Sequence, residues 1–238
     1  MRLEADAVRV VWSETTTLVE EAVRAAAALL SPDEQEHAQR LRFRDDARDY
    51  AVAHALLRRE LSRGSSTTPA AWSFDRGAHG KPFLAGHGAA APSFSLSHTR
   101  GMVACAVAPA EVAVGVDVEA NQRDLDAARL AERFFAATEV AALAALPERA
   151  RRERFYDLWT VKEAVVKAVG LALPPALPHV AVEIRSDNDI ELTRSPVAAE
   201  GAWQLGLFTP ARGFRIAVAI LRPRGSPPLT ISCAEGGV

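Results

Sequence analysis

The chain has 238 residues, of which 49% are hydrophobic and 24% are charged, and its formal net charge is −2. These proportions are ordinary for a soluble globular protein, and the length suits one large domain or two small ones. The near-neutral charge excludes a global attraction to nucleic acid or to an anionic membrane. The polar N-terminus, the lack of a membrane-length apolar run and the two cysteines, Cys105 and Cys233, lead us to expect a cytoplasmic protein.

The first half of the chain contains predicted helices and short predicted β-strands. The pattern predicts a strand over 8–12 and a helix over 17–30. Ser31 and Glu34 form a capping box that predicts the start of a second helix, and a third is predicted over 45–62. A short strand over 72–74 and a glycine-rich turn over 76–83 follow. Segments over 93–98, 102–108 and 112–119 are joined by very short connections, which predicts an antiparallel meander.

The second half repeats this order of elements. Helices are predicted over 126–146 and 151–169, and prolines at 174, 175 and 178 prevent the helix from continuing. Weak strands follow over 180–185, 190–193, 202–208 and 213–221. We therefore expect an α+β fold of two similar lobes, a pseudo-twofold duplication, each lobe with helices packed on a small antiparallel sheet. The expected lobes are 1–112 and 113–238, with the active site at their interface.

The segment 114–119, Val-Gly-Val-Asp-Val-Glu, alternates strictly between apolar and other residues. On a strand this alternation points Asp117 and Glu119 to the same face. Two neighbouring carboxylates repel each other unless a cation lies between them, and Mg²⁺ prefers such oxygen ligands. The alternative is a half-exposed strand whose outer face is simply polar.

The segment 158–170 reads as a helix that buries Leu158, Val161 and Val165. Glu163 and Lys167 are four residues apart and therefore share one face of that helix. Taken alone, the pair is better interpreted as a surface ion pair worth about 0.3–0.5 kcal/mol.

The segment 94–99, Phe-Ser-Leu-Ser-His-Thr, carries hydroxyl groups and an imidazole at the end of a strand. The alternation predicts Ser95 and Ser97 on the outward face. Ser97 and His98 are neighbours that point to opposite sides of the strand, which argues against a nucleophile–base pair. With Arg100 they are candidates for a phosphate site, and the alternative for His98 is a capped turn.

In chain order, these segments resemble the signatures of the 4′-phosphopantetheinyl transferases. The matching segments are Gly-Lys-Pro at 80–82, Phe-Ser-Leu-Ser-His-Thr at 94–99, Gly-Val-Asp-Val-Glu at 115–119 and Trp-Thr-Val-Lys-Glu-Ala-Val-Val-Lys at 159–167. Each is weak alone, and the four in order are specific. The length and the doubled architecture resemble the surfactin-synthetase-activating (Sfp-type) branch rather than the half-length trimeric branch. The similarity covers roughly 31–221.

The resemblance implies a metal-dependent transfer. Asp117, Glu119 and Glu163 would surround Mg²⁺, with Mn²⁺ as an alternative, and the ion would bridge the pyrophosphate of coenzyme A. The reaction would move the phosphopantetheine arm onto a serine of an acyl or peptidyl carrier protein and release adenosine 3′,5′-bisphosphate. Glu163 would be the general base, directly or through a metal-bound water, and Lys167 would stabilise the leaving phosphate or donate a proton to it.

The resemblance also implies a set of coenzyme A contacts. Relatives often carry basic residues on the early helix, whereas this chain has Glu34 and His37 there. Arg40, Arg44 and Arg48 are the substitutes, of which we choose Arg44, and the departure affects the expected discrimination between coenzyme A and its dephospho form. For the 3′-phosphate the resemblance points to Arg76, Lys81, Ser97 and His98. The full set of expected contacts is Arg44, Arg76, Gly80, Lys81, Pro82, Ser97, His98, Thr99, Asp117 and Lys167.

The region 121–135 would help to dock an acidic carrier protein. Its candidate contacts are Arg123, Leu125, Arg129, Leu130 and Arg133, and the alternative is an amphipathic helix with a solvated face. A duplicated chain can form its cleft between its own lobes, so we expect a monomer. The Sfp-type branch suggests polyketide or nonribosomal-peptide carriers of secondary metabolism. The alternative functions are a non-catalytic coenzyme A or carrier-binding relative and a metal-dependent phosphodiesterase.

Overall fold

A computed structural model describes residues 6–121, 126–198 and 201–237. The helices are α1 (Glu20–Ala27), α2 (Pro32–Arg40), α3 (Arg44–Ser62), α4 (Ala127–Phe134), α5 (Ala137–Ala144) and α6 (Glu148–Ala168). The strands are β1 (Ala7–Glu14), β2 (Phe74–Arg76), β3 (Pro82–Leu84), β4 (Ser93–Thr99), β5 (Met102–Ala108), β6 (Ala113–Ala120), β7 (Ala181–Ser186), β8 (Asp189–Arg194), β9 (Gly201–Phe208), β10 (Phe214–Pro223) and β11 (Thr230–Glu235). Within the described ranges, no helix is both long and apolar enough to span a bilayer.

The first lobe is built on a sheet with the strand order β11-β1-β5-β4. Strand β5 is apolar throughout and buried along its whole length, because both of its faces are covered. Val103, Cys105 and Val107 pack with α3 on one side. Met102 and Ala104 face the strands of the second lobe on the other side. This shared core holds the two lobes together.

The second lobe is built on the sheet β6-β10-β9, with α6 lying against it. The apolar stripe predicted for this helix packs with the sheet: Val161 and Val165 share a core cluster with Ala217 and Leu207. Each lobe also carries a separate two-stranded hairpin, β2–β3 in the first and β7–β8 in the second. The two lobes therefore repeat one topology, in which β1, β5 and β4 correspond to β6, β10 and β9, and α3 corresponds to α6.

The predicted three-strand meander is wrong in its third strand. Strands β4 and β5 pair as expected, but β6 leaves for the second sheet, where its partner is β10. Strand β6 still runs beside β4, and serine side chains join the two strands. Ser95 Oγ accepts a hydrogen bond from the Val116 N–H at 3.0 Å, and Ser97 Oγ accepts one from the Val118 N–H at 3.3 Å. We call this β4–β6 boundary the seam.

The chain returns to the first lobe at its end. Strand β11 pairs with β1 in parallel, from Ala7 opposite Thr230 to Trp12 opposite Glu235. The expected range 113–238 for the second lobe therefore includes a strand that belongs to the first sheet, and that sheet is not purely antiparallel. The pairing covers the edge of β1, which would otherwise leave a row of backbone groups open.

Two predicted helices also differ in extent. The helix expected over 17–30 begins only at Glu20, after a 3-10 turn over Thr15–Thr17. The helix expected over 126–146 is two helices, because the backbone of Phe135 and Ala136 is extended between α4 and α5. The capping box of α2 is confirmed, with Ser31 accepting from the Glu34 N–H and Glu34 accepting from the Ser31 N–H.

Candidate active site

Close packing of β6 on α6 brings three carboxylates together at the seam. A Cβ atom added to Gly115 would lie 2.0 Å from the Ala164 carbonyl oxygen and 2.4 Å from the Ala168 nitrogen, so only glycine fits there. This approach lets Glu163 of α6 meet Asp117 and Glu119 of β6. Oxygen atoms of the three side chains lie within 4.8 Å of one another.

The chemistry of this cluster fits a divalent cation. Asp117 is only 2% exposed, and its Oδ1 accepts hydrogen bonds from Lys167 at 2.6 Å and from Ser97 at 2.9 Å. Its Oδ2 is buried without a hydrogen-bond partner among the described residues. A buried carboxylate oxygen without a partner is costly, and a bound cation would satisfy it. Three converging carboxylates are typical oxygen ligands for Mg²⁺ or Mn²⁺.

Electrostatics at the seam strongly affect two titrating groups. Burial, followed by the negative charges of Asp117 and Glu119, raises the pKa of Glu163 to about 8, against the opposing effects of Lys167 and of a hydrogen bond with Trp159. Burial would lower the pKa of Lys167, but Asp117 and Glu163 outweigh it and raise that pKa. Lys167 therefore stays charged, while the cluster without a cation retains a proton on Glu163.

Ser97 lies in the seam and not on an outward face, which corrects the predicted orientation. Its side chain is buried, and its hydroxyl donates to Asp117 and accepts from Lys167 at 2.9 Å and from the Val118 N–H. The same applies to Ser95, whose hydroxyl also bonds β6. Ser97 therefore orients the acidic cluster, and its bonding capacity is used within the protein.

A cavity of about 500 Å³ lies between α2, α3 and the strands β2 to β4. Arg76, Pro82 and His98, three of the predicted coenzyme A contacts, line it. Arg44 does not line this cavity: it lies in a separate groove between α1, α2 and α3. The structure therefore does not bring our substitute cation to the other predicted contacts. The reason is local, since Arg44 is the first residue of α3 and lies well before the helical turns that line the cavity.

The other predicted contacts lie in the hairpin and at the end of β4. Gly80 adopts a φ of 82° in the turn before β3, which requires glycine there. Thr99 is buried opposite Met102. Lys81 donates its hydrogen bonds to backbone carbonyls of the second lobe, at 3.0 Å to Val114 and 2.8 Å to Ala168.

The expected docking segment is only partly described. Residues 122–125, which include Arg123 and Leu125, lie outside the described ranges. Helix α4 follows, with Asp126 as its N-cap, and Arg133 lies over the Phe134 ring at 5.0 Å.

Sequence reasoning missed two residues of the cavity, His54 and Arg58. His54 Nδ1 lies 2.8 Å from Glu34 Oε1, and Arg58 donates to Glu34 Oε2 at 2.6 Å. Arg58 is fully buried and also donates to the carbonyl oxygens of Pro69 and Trp72. A signal existed: Tyr50, His54 and Arg58 are four residues apart on the inner face of a helix, where apolar residues are expected.

Comparisons with known proteins agree with this geometry. The family model described as the 4′-phosphopantetheinyl transferase superfamily matches residues 113–219, and that of the N-terminal part of 4′-phosphopantetheinyl transferases matches residues 14–110. The transferase HetI of Nostoc sp. is 31% identical over 195 residues, covering 82% of this chain and 79% of that protein.

Two further relatives come from Bacillus. The transferase psf-1 of Bacillus pumilus is 29% identical over 200 residues, covering 83% of this chain and 82% of that protein. The transferase Sfp of Bacillus subtilis is 27% identical over 165 residues, covering 69% of this chain and 71% of that protein. The two adjoining family matches follow the two lobes, and the relatives match across both. The chain belongs to the 4′-phosphopantetheinyl transferase family, in its Sfp-type branch.

Proposed function

We propose that the chain transfers the 4′-phosphopantetheine group of coenzyme A to a serine of an acyl or peptidyl carrier protein, with Mg²⁺ as cofactor. The observation that carries this proposal is the convergence of Asp117, Glu119 and Glu163 beside Lys167. Transfer from a pyrophosphate requires charge neutralisation and alignment of the nucleophile. The seam offers both within one cluster.

Asp117, Glu119 and Glu163 are the residues that would hold the cation, with Mn²⁺ as a substitute. Lys167 and Ser97 occupy Oδ1 of Asp117, which leaves the buried Oδ2 as a ligand atom. When bound, the cation neutralises charge on the pyrophosphate and on the leaving phosphate. Cation binding would also displace the proton that Glu163 otherwise retains.

Glu163 is our general base, and Lys167 is our stabiliser of the leaving group. The serine hydroxyl proton passes to the Glu163 carboxylate as the serine oxygen bonds to the β-phosphorus. The bond from that phosphorus to the bridging oxygen breaks, and adenosine 3′,5′-bisphosphate leaves with the electron pair. The Lys167 ammonium has three protons. Two of them bond Asp117 and Ser97, so one remains for an oxygen of the leaving phosphate.

We assign the adenosine 3′-phosphate end of coenzyme A to the cavity lined by Arg76 and His98. Glu34 also lines this cavity, and its charge is compensated by Arg58 at 2.6 Å and by contact with His54. Glu34 therefore faces an anionic ligand as a paired carboxylate, while Asp33 is a second carboxylate on the same wall. Arg76 supplies a positive charge for the phosphate, and His98, whose pKa is lowered by burial, can offer a ring N–H as a hydrogen-bond donor.

The experiment is a mass measurement on an apo carrier protein incubated with the chain, coenzyme A and Mg²⁺. We expect the carrier to gain the phosphopantetheine group, and EDTA to stop the reaction until Mg²⁺ or Mn²⁺ is added. Asp117→Asn and Glu163→Gln should each lower the rate by at least about 100-fold. Glu153→Gln, whose side chain is 56% exposed on the same helix, is the matched control and should retain the wild-type rate.

Carrier preference and assembly are the finer parts of the proposal. We propose polyketide and nonribosomal-peptide carriers as substrates, with docking at 121–135, and a monomer as the active form, since both walls of the seam come from one chain. A panel of acyl, polyketide and peptidyl carriers tests the preference. If no carrier in the panel gains mass, the proposed function is wrong.

A further inference from the structure

Lys81 connects three parts of the molecule across the lobe boundary. It lies in the turn between β2 and β3 of the first lobe, and its ammonium group reaches the second lobe. There it donates to the Val114 carbonyl of β6 at 3.0 Å and to the Ala168 carbonyl at the end of α6 at 2.8 Å. One side chain thus joins the hairpin, the strand that carries Asp117 and the helix that carries Lys167.

The end of α6 needs such a partner. The last carbonyl groups of a helix receive no hydrogen bond from N–H groups of that helix. The partial negative charge at a helix C-terminus also favours a nearby cation. The stem of Lys81 also packs at Gly170, where an added Cβ would lie 3.4 Å from Lys81 Cδ. Gly170 itself adopts a φ of 66°, which ends the helix directly above the lysine.

These contacts immediately flank the acidic cluster. Val114 lies on the same strand as Asp117, and Ala168 directly follows Lys167. Asp117 and Lys167 meet at 2.6 Å, so a small shift of α6 along β6 would break their contact. Burial lowers the pKa of Lys81 to about 8, which agrees with an ammonium enclosed by protein. Lys81 borders a small recess beside Lys167, and it is not among the residues lining the cavity of Arg76 and His98.

We propose that Lys81 is a positioning residue that fixes α6 against β6, and that it is not a ligand of the coenzyme A 3′-phosphate. The kinetic form of this proposal rests on the proposed function. The positioning role replaces the role of 3′-phosphate ligand that the family resemblance implied for Lys81. The two roles differ in a measurable way, because only a 3′-phosphate ligand distinguishes coenzyme A from 3′-dephospho-coenzyme A.

The first experiment compares wild type and Lys81→Met with each of these two donors. Methionine keeps an apolar stem and removes the ammonium. We expect kcat to fall by about 10- to 100-fold with both donors, as for other small misplacements in active sites. The kcat/KM with coenzyme A divided by the kcat/KM with 3′-dephospho-coenzyme A should stay within about twofold of the wild-type ratio. Arg76→Met, on the same hairpin, is the matched control and should lower that ratio. A loss confined to coenzyme A in Lys81→Met would overturn the proposal.

The second experiment does not depend on turnover. Hydrogen–deuterium exchange of wild type, Lys81→Met and Lys81→Arg reports on peptides covering 113–118 and 164–172. We expect faster exchange in both peptides for methionine, and recovery of most of the protection and of kcat for arginine. Unchanged protection in Lys81→Met would overturn the proposal. If wild type lacks transferase activity with either donor, the proposed function fails while this measurement still decides the role of Lys81.

Discussion

Both lobes bury a carboxylate–cation pair at the same place in the same helix pair. In the first lobe Glu34, near the start of α2, accepts from Arg58 of α3 at 2.6 Å, and in the second Glu139, near the start of α5, accepts from Lys162 of α6 at 2.6 Å. Each carboxylate also accepts a backbone N–H at its helix start. Each cation lies over a phenylalanine ring, at 5.0 Å and 4.6 Å. The duplication therefore extends to individual residues.

The cavity beside each pair differs in chemistry. In the first lobe His37, Tyr50 and His54 line it. The corresponding recess of the second lobe is lined mainly by apolar residues, among them Ala142 and Leu158. One scaffold thus provides a cavity lined by histidines and a tyrosine in one lobe and a mainly apolar recess in the other.

The surroundings of the two long helices differ in the same way. Among the described residues, β4 lies beside β6 and forms the seam on one side of the molecule, whereas β11 pairs with β1 on the other side. Because Arg58 corresponds to Lys162, Arg59 and Arg63 correspond to Glu163 and Lys167. Alignment of β1 with β6 from Val8 and Val114 matches Val11 and Ser13 with Asp117 and Glu119. The difference teaches that the candidate site is composite: the first lobe contributes the polar cavity, and the second contributes the acidic cluster.

The largest expected effect on stability comes from replacing the basic residue of each buried pair, and it should differ between the two lobes. Lys162 is fully buried, and its ammonium bonds Glu139 and the Val180 carbonyl, at 2.7 Å to the latter. Lys162→Met should lower the free energy of unfolding by about 3–5 kcal/mol, because it leaves a buried carboxylate without its cation. Arg58→Met should cost less, about 2–3 kcal/mol, because Glu34 keeps its contact with His54. Urea denaturation measures both.

A double variant serves as the control for this prediction. In Glu139→Gln with Lys162→Met the buried charge is removed together with its partner, so at least half of the lost free energy should return. Equal losses for Lys162→Met and Arg58→Met would contradict the view that the contact with His54 protects Glu34. No recovery in the double variant would contradict the view that the uncompensated charge of Glu139 causes the loss.

Local patterns predicted much of the cluster. Period-two alternation in β6 predicted that Asp117 and Glu119 share a face, and helical spacing predicted the same for Glu163 and Lys167. The structure brings these four side chains together. The capping box at Ser31 was equally readable, because it depends on residues that are close in sequence.

Partner choice between distant elements could not be predicted. The buried strand β5 has suitable neighbours on both sides, and nothing local to β6 shows that it pairs with β10. The serine hydroxyls that join β4 to β6 replace a backbone ladder, so strand patterns do not reveal them. Strand β11 is short and half polar, and it is a strand because it completes the edge of β1. The position of Arg44 in a separate groove could not be predicted for the same reason, since its charge alone does not determine where it lies.

Lowering the pH should decrease the free energy of unfolding, because Glu34 of the first lobe becomes protonated. Burial alone would raise the pKa of Glu34, but His54, the Ser31 N–H and Arg58 outweigh it and lower that pKa from 4.5 to about 2. Because the folded pKa is depressed, the stabilisation is complete above the unfolded pKa and is lost as the pH falls through the range between these two values. The loss should amount to about 2–3 kcal/mol.

The measurement is the free energy of unfolding between pH 7 and pH 3 for wild type and Glu34→Gln. The advantage of wild type over the variant should shrink steadily as the pH falls below about 4.5. Glu20→Gln, whose side chain is 85% exposed in the same lobe, is the control and should change stability by less than about 0.5 kcal/mol. A wild-type advantage that stays constant across this range would show that the charge of Glu34 is not what stabilises the pair.

The smallest expected effect concerns the helix caps. Ser31 Oγ accepts from the Glu34 N–H at 3.3 Å, whereas the N-cap of α5 is Ala136, which has no hydroxyl. Ser31→Ala makes the first lobe resemble the second at this position, and it should cost about 0.5–1 kcal/mol in urea denaturation because the bond is long. A loss above about 2 kcal/mol would exceed what a cap provides. It would mean that Ser31, which also lines the polar cavity, supports Glu34 and its partners in addition to capping the helix. Ala136 has no hydroxyl and cannot give the second lobe such support.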